Sequence, residues 1–228
     1  MVYRERNYPF TKSLTFYIIF LNIIVWLLQI ATYPLVDDAF SLNADSVSAR
    51  SAYQFVTYMF LHATFVETNT GGIAIYPLHI AMNMLVLAIF GFPLERALGK
   101  RKMLVLYLFS GIGSALFYLF VMPLVTGVAG ASLIGASGAV FGVLAAYAFK
   151  YPKAWVYIIL FPFPIPAAPM IVLLLLEEIF LGFMGLQPGV ANFGHVGGII
   201  TGLLIMTVWK LTNREKKFGE KDFEYIWE

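Results

Sequence analysis

Cysteine is absent from this chain of 228 residues, which excludes disulfide bonds and thiolate metal sites. Charged residues make up only 12% of the chain, and its three histidines, at positions 62, 79 and 195, have no acidic cluster beside them. We therefore expect no metal and no other cofactor. We expect no nucleic-acid partner either.

Apolar sequence dominates what is present. Hydrophobic residues make up 60% of the chain and its mean hydropathy is +0.80, which indicates a membrane protein with several spanning helices and the lipid bilayer around it. The first apolar run, Leu14 to Thr32, is long enough to be retained as a spanning helix. We predict an all-α fold and a single membrane domain over residues 1–228, with a core at 13–209 and short tails at 1–12 and 210–228.

The apolar runs divide into six predicted spans, and the basic residues orient them. The predicted bounds are Leu14–Thr32, Pro77–Phe92, Met103–Met122, Ser137–Phe149, Pro169–Gly185 and Gly194–Trp209. Lysine and arginine collect in cytoplasmic segments, and with these spans Arg50 is the one basic residue of 15 that falls on the other side. We therefore predict that both termini are cytoplasmic, in a plasma or inner membrane.

Four polar side chains on three of these spans lie at one inferred depth. A rise of about 1.5 Å per residue puts Ser137 and Asn83 roughly 18 Å, His195 roughly 21 Å and His79 roughly 24 Å from the cytoplasmic ends of their spans. In hydrocarbon about 30 Å thick, that level lies roughly 10 Å below the outer surface. Chemistry there requires a water-filled cavity that opens to the outside.

Two polar residues of this set are bracketed by glycines, in Gly135-Ala136-Ser137-Gly138 and Gly194-His195-Val196-Gly197-Gly198. An intramembrane imidazole is costly and is therefore a functional candidate, and Ser137 is the nucleophile that we pair with His195 as its base. Because Ser137 begins its span, unpaired backbone N–H groups lie beside it and can hold a developing oxyanion.

Further residues around the pair have predicted supporting roles. Phe141 lies one helical turn after Ser137, where its ring can stack on the imidazole. Small residues let membrane helices approach closely, and on these two spans the glycines expected to do so are Gly138, Gly142, Gly198 and Gly202.

With these motifs in order, the chain resembles the rhomboid family of intramembrane serine proteases in its basic form, a bundle of six transmembrane helices with a short central fourth helix that starts at the serine. The resemblance covers nearly the whole chain. Its Gly-x-Ser-Gly motif matches Gly135 to Gly138, its second-helix His-x-x-x-Asn motif matches His79 and Asn83, and its last-helix histidine with spaced glycines matches His195, Gly198 and Gly202.

The resemblance implies an enzyme with a catalytic dyad and no acid. Ser137 would attack a peptide carbonyl, and His195 would take the hydroxyl proton and pass it to the leaving amine. The implied oxyanion contacts are His79, Asn83 and the backbone N–H of Ser137, and water then hydrolyses the acyl-enzyme. The implied partners are transmembrane-helix proteins, cut as substrates near the outer face of the membrane.

One departure from the family pattern is an insertion between His62 and His79, in a predicted external loop. We expect His62 to anchor this loop. Glu95 receives no chemical role and is expected to belong to a cytoplasmic ion-pair cluster that fixes helix ends. Glu177 and Glu178, inside the fifth span, are expected to be structural, and the alternative is that they line the cavity or a moving gate.

Plainer interpretations stay open for the central residues. Ser137 is also explained as a packing residue, His195 as a link between helices, and His79 with Asn83 as a structural clamp. A catalytically silent rhomboid-like protein that binds transmembrane helices is one alternative function. A small-solute transporter or channel is another, although the spans below Asn83 and Ser137 are almost purely apolar, which fits hydrolysis better than passage.

Overall fold

The first spanning helix, α1, covers Leu14–Thr32, the bounds predicted from the apolar run. This computed structural model describes residues 9–43, 48, 51–67, 71–127, 132–157, 163–187 and 190–212. Most of the predicted tails, as well as Arg50 and residues 68–70 of the insertion, lies outside the described residues. A 3-10 turn, Phe10–Lys12, precedes α1, and the Ser13 side chain caps the helix by accepting a hydrogen bond from the N–H of Phe16.

The remaining elements follow α1 in chain order. Two short helices, α2 at Leu35–Phe40 and α3 at Gln54–Thr57, are followed by a 3-10 turn at Tyr58–Phe60. A β-hairpin, with β1 at Phe65–Glu67 and β2 at Ile73–Ile75, then leads to the second long helix, α4, at Leu78–Leu98. The third span is continuous through a π-helical stretch: α5 at Lys100–Leu116, the π segment at Phe117–Val121, and α6 at Met122–Thr126. The last elements are α7 at Ser137–Lys150, β3 at Trp155–Val156, β4 at Ile165–Pro166, α8 at Ala167–Met184 and α9 at Asn192–Thr212.

Membrane-length helices dominate the described part of the chain. Five of them are long and apolar enough to cross a bilayer: α1, α4, the continuous α5 to α6 segment, α8 and α9. With 14 residues, α7 is about 21 Å long, which is short of the hydrocarbon thickness of about 30 Å. The prediction of an all-α membrane bundle is confirmed, with two small two-stranded sheets as additions, β1 with β2 and β3 with β4.

The short helix α7 lies at the centre of the bundle. It packs against α4, α5 and α9, whereas α1 packs on α4 and α8 packs on α9 and α7. In the apolar stretches of α1 and α8, 22% of the residues are buried, whereas 44% are buried in those of α4 and α9. Helices α1 and α8 therefore form the outside of the bundle. The apolar residues that surround α7 therefore form the core of the protein.

Non-helical backbone leads into α7, as expected for a serine at the start of its span. Leu42 and Leu133 exchange two backbone hydrogen bonds, and the N–H of Gly135 donates to the carbonyl of Tyr58 at 2.9 Å. Gly135 has a φ of 124°, a conformation that favours glycine. Leu133 and Ala136 are buried, which is the protein-enclosed setting that irregular backbone at membrane depth requires.

Glu95 fixes the beginning of α1 in a way that the sequence did not predict. Its buried carboxylate accepts hydrogen bonds from the Ser13 hydroxyl (2.6 Å), the Leu14 N–H (2.8 Å) and both the N–H and the hydroxyl of Thr15 (2.8 and 2.6 Å). The unpaired N–H groups at a helix start attract a negative charge. Glu95 therefore joins the end of α4 to the start of α1. A role at helix ends was expected, and the hydrogen bonds to α1 were not.

Candidate active site

The side chains of Ser137 and His195 meet where two helices begin. Ser137 is the first residue of α7 and His195 lies in the first turn of α9. The Oγ atom of Ser137 lies 2.8 Å from Nε2 of His195, within hydrogen-bond distance. His195 is buried and Ser137 is half-buried, so the pair is sheltered by the bundle.

The glycines of α9 bring the two helices together. A Cβ atom at Gly198 would overlap the carbonyl oxygen of Gly138, and one at Gly202 would overlap the carbonyl oxygen of Gly142. The backbone of α7 therefore rests directly on α9, an approach that any larger side chain at these two positions would prevent.

The two glycines of α7 have a second function that the sequence did not predict. A Cβ atom at Gly138 would overlap the side chain of Ser114, and one at Gly142 would overlap the side chain of Ser110. Both serines belong to α5. Small residues therefore allow α7 to approach two helices at once, which fixes the position of its first residue.

Phe141 covers one face of the imidazole. Its ring is stacked on that of His195 with 4.4 Å between centroids and 18° between planes, as its spacing from Ser137 suggested. This contact restricts rotation of the imidazole out of the plane that faces Ser137.

His79 lies at the other side of the serine, and a backbone contact fixes its protonation. The N–H of Ala63 donates to Nδ1 of His79 at 3.1 Å, so this nitrogen carries no proton and the neutral ring has its proton on Nε2. A Cβ atom built on Gly135 would lie 3.4 Å from that Nε2 and 3.7 Å from the Ser137 Oγ. The N–H donor of His79 is therefore on the side of the site where the serine hydroxyl lies.

Asn83 is one helical turn after His79, and its hydrogen bond stays within α4. Its Nδ2 donates to the carbonyl of His79 at 2.8 Å. An amide nitrogen carries two hydrogens, so this bond engages one donor of the pair. The structure thus places Asn83 on the same helix face as His79 without bringing its side chain into a hydrogen bond with Ser137.

An acidic residue lies next to the imidazole, a neighbour that the sequence did not predict. The Oε1 atom of Glu178 lies 3.0 Å from Nδ1 of His195. The two atoms are close, but Nδ1 makes no hydrogen bond among the described residues, so the carboxylate approaches off the axis of a ring N–H. The other oxygen, Oε2, accepts a hydrogen bond from Nδ2 of Asn192 at 2.7 Å.

A signal for this acid was present in the sequence. Carboxylates inside a membrane span are costly and are usually paired, and the adjacent Glu177 and Glu178 both lie within α8. The structure distinguishes them, because Glu177 is exposed on the outside of the bundle and Glu178 is buried. One sequence does not reveal which face of α8 contacts α9.

His62 is held in the segment ahead of β1. Its N–H donates to Oε1 of Gln29 at 2.9 Å, and its carbonyl accepts from Nε2 of the same residue at 3.0 Å. Burial, together with the neighbouring ring of His79 at 5.2 Å, lowers the pKa of His62 to about 3, so the imidazole is uncharged at neutral pH. These contacts support an anchoring role for this residue.

The described residues contain no group of three or more histidines and acidic residues that could hold a metal ion. What the site contains is a hydroxyl next to an imidazole, with a carboxylate behind the imidazole and a second, neutral histidine on the far side of the hydroxyl. This arrangement can carry out nucleophilic chemistry with proton transfer.

Fold and site together define a class, a helical integral membrane protein with a serine–histidine pair at the start of a short central helix. A sequence model of the rhomboid domain matches residues 49–211, well over half of the chain. The chain belongs to the rhomboid family.

Curated relatives carry the same family name. RHOMBOID-like protein 4 of Arabidopsis thaliana is 36% identical over 128 residues, which cover 56% of this chain and 29% of the relative. Rhomboid protease AarA of Providencia stuartii is 34% identical over 160 residues, 58% of this chain and 51% of the relative. Rhomboid-type serine protease 2 of Emericella nidulans is 32% identical over 154 residues, 67% of this chain and 26% of the relative. The matches thus span about half or less of the length of these relatives.

Proposed function

We propose that this chain is an intramembrane serine endopeptidase that hydrolyses peptide bonds in or near transmembrane segments of other proteins. The observation that carries the proposal is the 2.8 Å approach of the Ser137 Oγ to Nε2 of His195 at the start of a central helix. A serine hydroxyl is a weak nucleophile until a base within hydrogen-bond reach removes its proton. Family membership and relatives named as proteases support the same reaction.

The proposed reaction proceeds through an acyl-enzyme. Ser137 Oγ bonds to the peptide carbonyl carbon while its proton passes to Nε2 of His195, and the carbonyl oxygen takes the negative charge. The backbone N–H of Ser137, the Nε2–H of His79 and the amide of Asn83 donate to this oxyanion. The tetrahedral intermediate expels the amine, which receives the proton from His195. Water, deprotonated by the same nitrogen, then attacks the acyl carbon. The bond from this carbon to Ser137 Oγ breaks, and His195 returns the proton to Oγ.

The proposed setting is a plasma or inner membrane that the core at residues 13–209 spans. Both termini would lie on the cytoplasmic side, and the site would open to the opposite side. Water and an unwound transmembrane segment would reach Ser137 through that opening. The 14-residue length of α7 supports this, because a short central helix leaves the serine below the surface of the bilayer.

A fluorophosphonate probe tests the activated serine. The purified full chain in liposomes should be labelled and should cleave a reporter protein with one transmembrane helix. Ser137→Ala and His195→Ala should abolish both signals, because they remove the nucleophile and its base. Ser48→Ala, a change at an exposed serine, should react like the parent.

Folding of each variant is compared by thermal unfolding, so that loss of signal is attributed to chemistry. If the folded parent neither reacts with the probe nor cleaves the reporter, the endopeptidase is excluded. The silent alternative would then be tested by measuring whether the parent still binds the transmembrane helix of the reporter.

A further inference from the structure

The imidazole of His195 needs one particular tautomer for the reaction proposed above. Nε2 has to be free of a proton in order to accept the one from Ser137, so the single proton of the neutral ring has to lie on Nδ1. The 2.8 Å contact with Ser137 does not select between the tautomers, because a hydroxyl both donates and accepts. A group on the other side of the ring has to make the choice.

Glu178 is in place to do so. Its Oε1 lies 3.0 Å from Nδ1, and both side chains are only 10% exposed. In such a poorly hydrated setting a carboxylate favours the tautomer that turns N–H toward it, and it stabilises the positive ring that forms when the serine proton is transferred. The present off-axis approach needs a change of side-chain torsion to become a hydrogen bond, as is common in sites without substrate.

Asn192 holds the carboxylate. Its Nδ2 donates to Oε2 of Glu178 at 2.7 Å and to Oε1 of Gln187 at 3.0 Å. Because Asn192 and His195 are three residues apart on α9, they present both contacts on one helix face. One carboxylate of α8 thus bridges two residues of α9.

Aromatic packing keeps these two helices in register. The rings of Phe183 and Phe193 pack edge to face at 5.5 Å, and a Cβ atom at Gly182 would lie 2.8 Å from the ring of Phe193. The distance from Glu178 to His195 is therefore set by a close contact of α8 with α9 on the same side of the bundle.

We propose that Glu178 is a positioning residue for His195: held by Asn192, it selects the tautomer with its proton on Nδ1 and balances the charge of the imidazolium. This inference rests on the proposed serine endopeptidase and extends its serine–histidine pair to a serine–histidine–glutamate arrangement. The competing interpretation is a purely structural clamp between α8 and α9.

Three variants separate these interpretations, with Glu177→Gln as the matched control on the exposed side of the same helix. In Glu178→Gln a side-chain oxygen can still accept from Asn192, so the helix contact survives while the negative charge is lost. We expect kcat for the reporter to fall about 10²–10⁴-fold, as in serine proteases that lose the acid of the triad, with KM and Tm near the parent values. Glu178→Asp keeps the charge and should recover part of kcat.

A second measurement does not depend on activity. The chain has three histidines, so ¹⁵N spectra of histidine-labelled protein are simple, and a His195→Ala spectrum identifies the signals of that ring. We expect Nδ1 of His195 to be protonated in the parent and in Glu177→Gln, and the proton to be redistributed toward Nε2 in Glu178→Gln.

The outcomes distinguish failure of the inference from failure of the proposed function. An active parent whose kcat and His195 tautomer are unchanged by Glu178→Gln overturns the positioning role and leaves the endopeptidase intact. An inactive parent refutes the endopeptidase, while the spectra still report whether Glu178 controls the tautomer of His195.

Discussion

One backbone N–H determines what His79 can do. The Ala63 amide occupies Nδ1 and leaves the proton on Nε2, the nitrogen that lies on the Gly135 side of the ring near Ser137. The ring is therefore preset as a donor toward the site where an oxyanion would form. A donor that is oriented in advance needs no reorganisation during the reaction, which makes its contribution large.

Replacement of this donor should slow the chemistry. We expect His79→Ala to reduce kcat about 10²–10³-fold, the usual cost of one oxyanion donor, with a smaller change in KM. Steady-state cleavage of the reporter measures both quantities. Leu78→Ala, at the exposed neighbour, serves as the control. Equal kcat in parent and His79→Ala would assign His79 to the structural clamp with Asn83.

At the scale of single residues, the sequence predicted those that belong to a short local motif. The serine motif, the histidine motif and the spacing of Phe141 each lie within a few residues, and the structure brings all three side chains together. Glu178 was missed as a neighbour of His195 because that contact depends on the rotation of α8 against α9. No repeat or motif in a single sequence encodes that rotation.

Glycines determine the position of helix α7, because they have no side chain that would keep neighbouring helices apart. Gly198 and Gly202 admit its backbone to α9, and Gly138 and Gly142 admit the serines of α5. The sequence predicted the first of these contacts from glycine spacing. It did not predict the second, because nothing near Ser110 and Ser114 in the sequence identifies α7 as their neighbour.

A single methyl group should disturb this packing. Gly198→Ala would place a Cβ against the Gly138 carbonyl, so we expect a loss of about 1–3 kcal/mol in stability and loss of probe labelling as Ser137 and His195 separate. Thermal unfolding in detergent and probe labelling measure the two effects. Leu204→Ala, on the exposed face of α9, should change neither much. A raised Tm would contradict the contact, because alanine stabilises an unhindered helix by about 0.5–1 kcal/mol.

The helix bounds show which helix ends an apolar run predicts correctly and which it does not. The prediction for α1 is confirmed at both ends, and α7 ends one residue later than predicted. The predicted end of the second span at Phe92 was wrong, since α4 continues through Pro93 to Leu98 before Gly99 turns the chain with a φ of 85°. A proline late in a spanning helix removes one hydrogen bond, which neighbouring groups in a bundle can replace.

For the whole molecule, the distribution of lysine and arginine predicts one orientation in the membrane, with the turn after α4 in the cytoplasm and β1 outside. The chain has no cysteine, so each introduced cysteine is a unique label. A membrane-impermeant maleimide added to intact cells should label Glu67→Cys, and Ala97→Cys only after permeabilisation. Both positions are exposed, and the cysteine-free parent is the control. The reverse pattern would invert the proposed orientation.

The bundle of spanning helices was predictable because a bilayer places simple requirements on the length of apolar segments. Apolar runs predict the spans without any knowledge of packing. The sides that charge segregation predicts stay a prediction. The β1–β2 hairpin within the insertion was not predicted, because its two strands have three residues each and carry too short a pattern. The central place of α7 depends on contacts between distant segments, so the family resemblance predicted it and the local pattern did not.

The carboxylate of Glu95 also has a consequence for the order of events during synthesis. Its partners at the start of α1 are 80 to 82 residues earlier in the chain. Because a chain is synthesised from its N-terminus, α1 is made before Glu95, and the unpaired N–H groups of its first turn then lack this acceptor. Helix α1 acquires this partner only when the end of α4 has been made, so its docking is coupled to the arrival of α4.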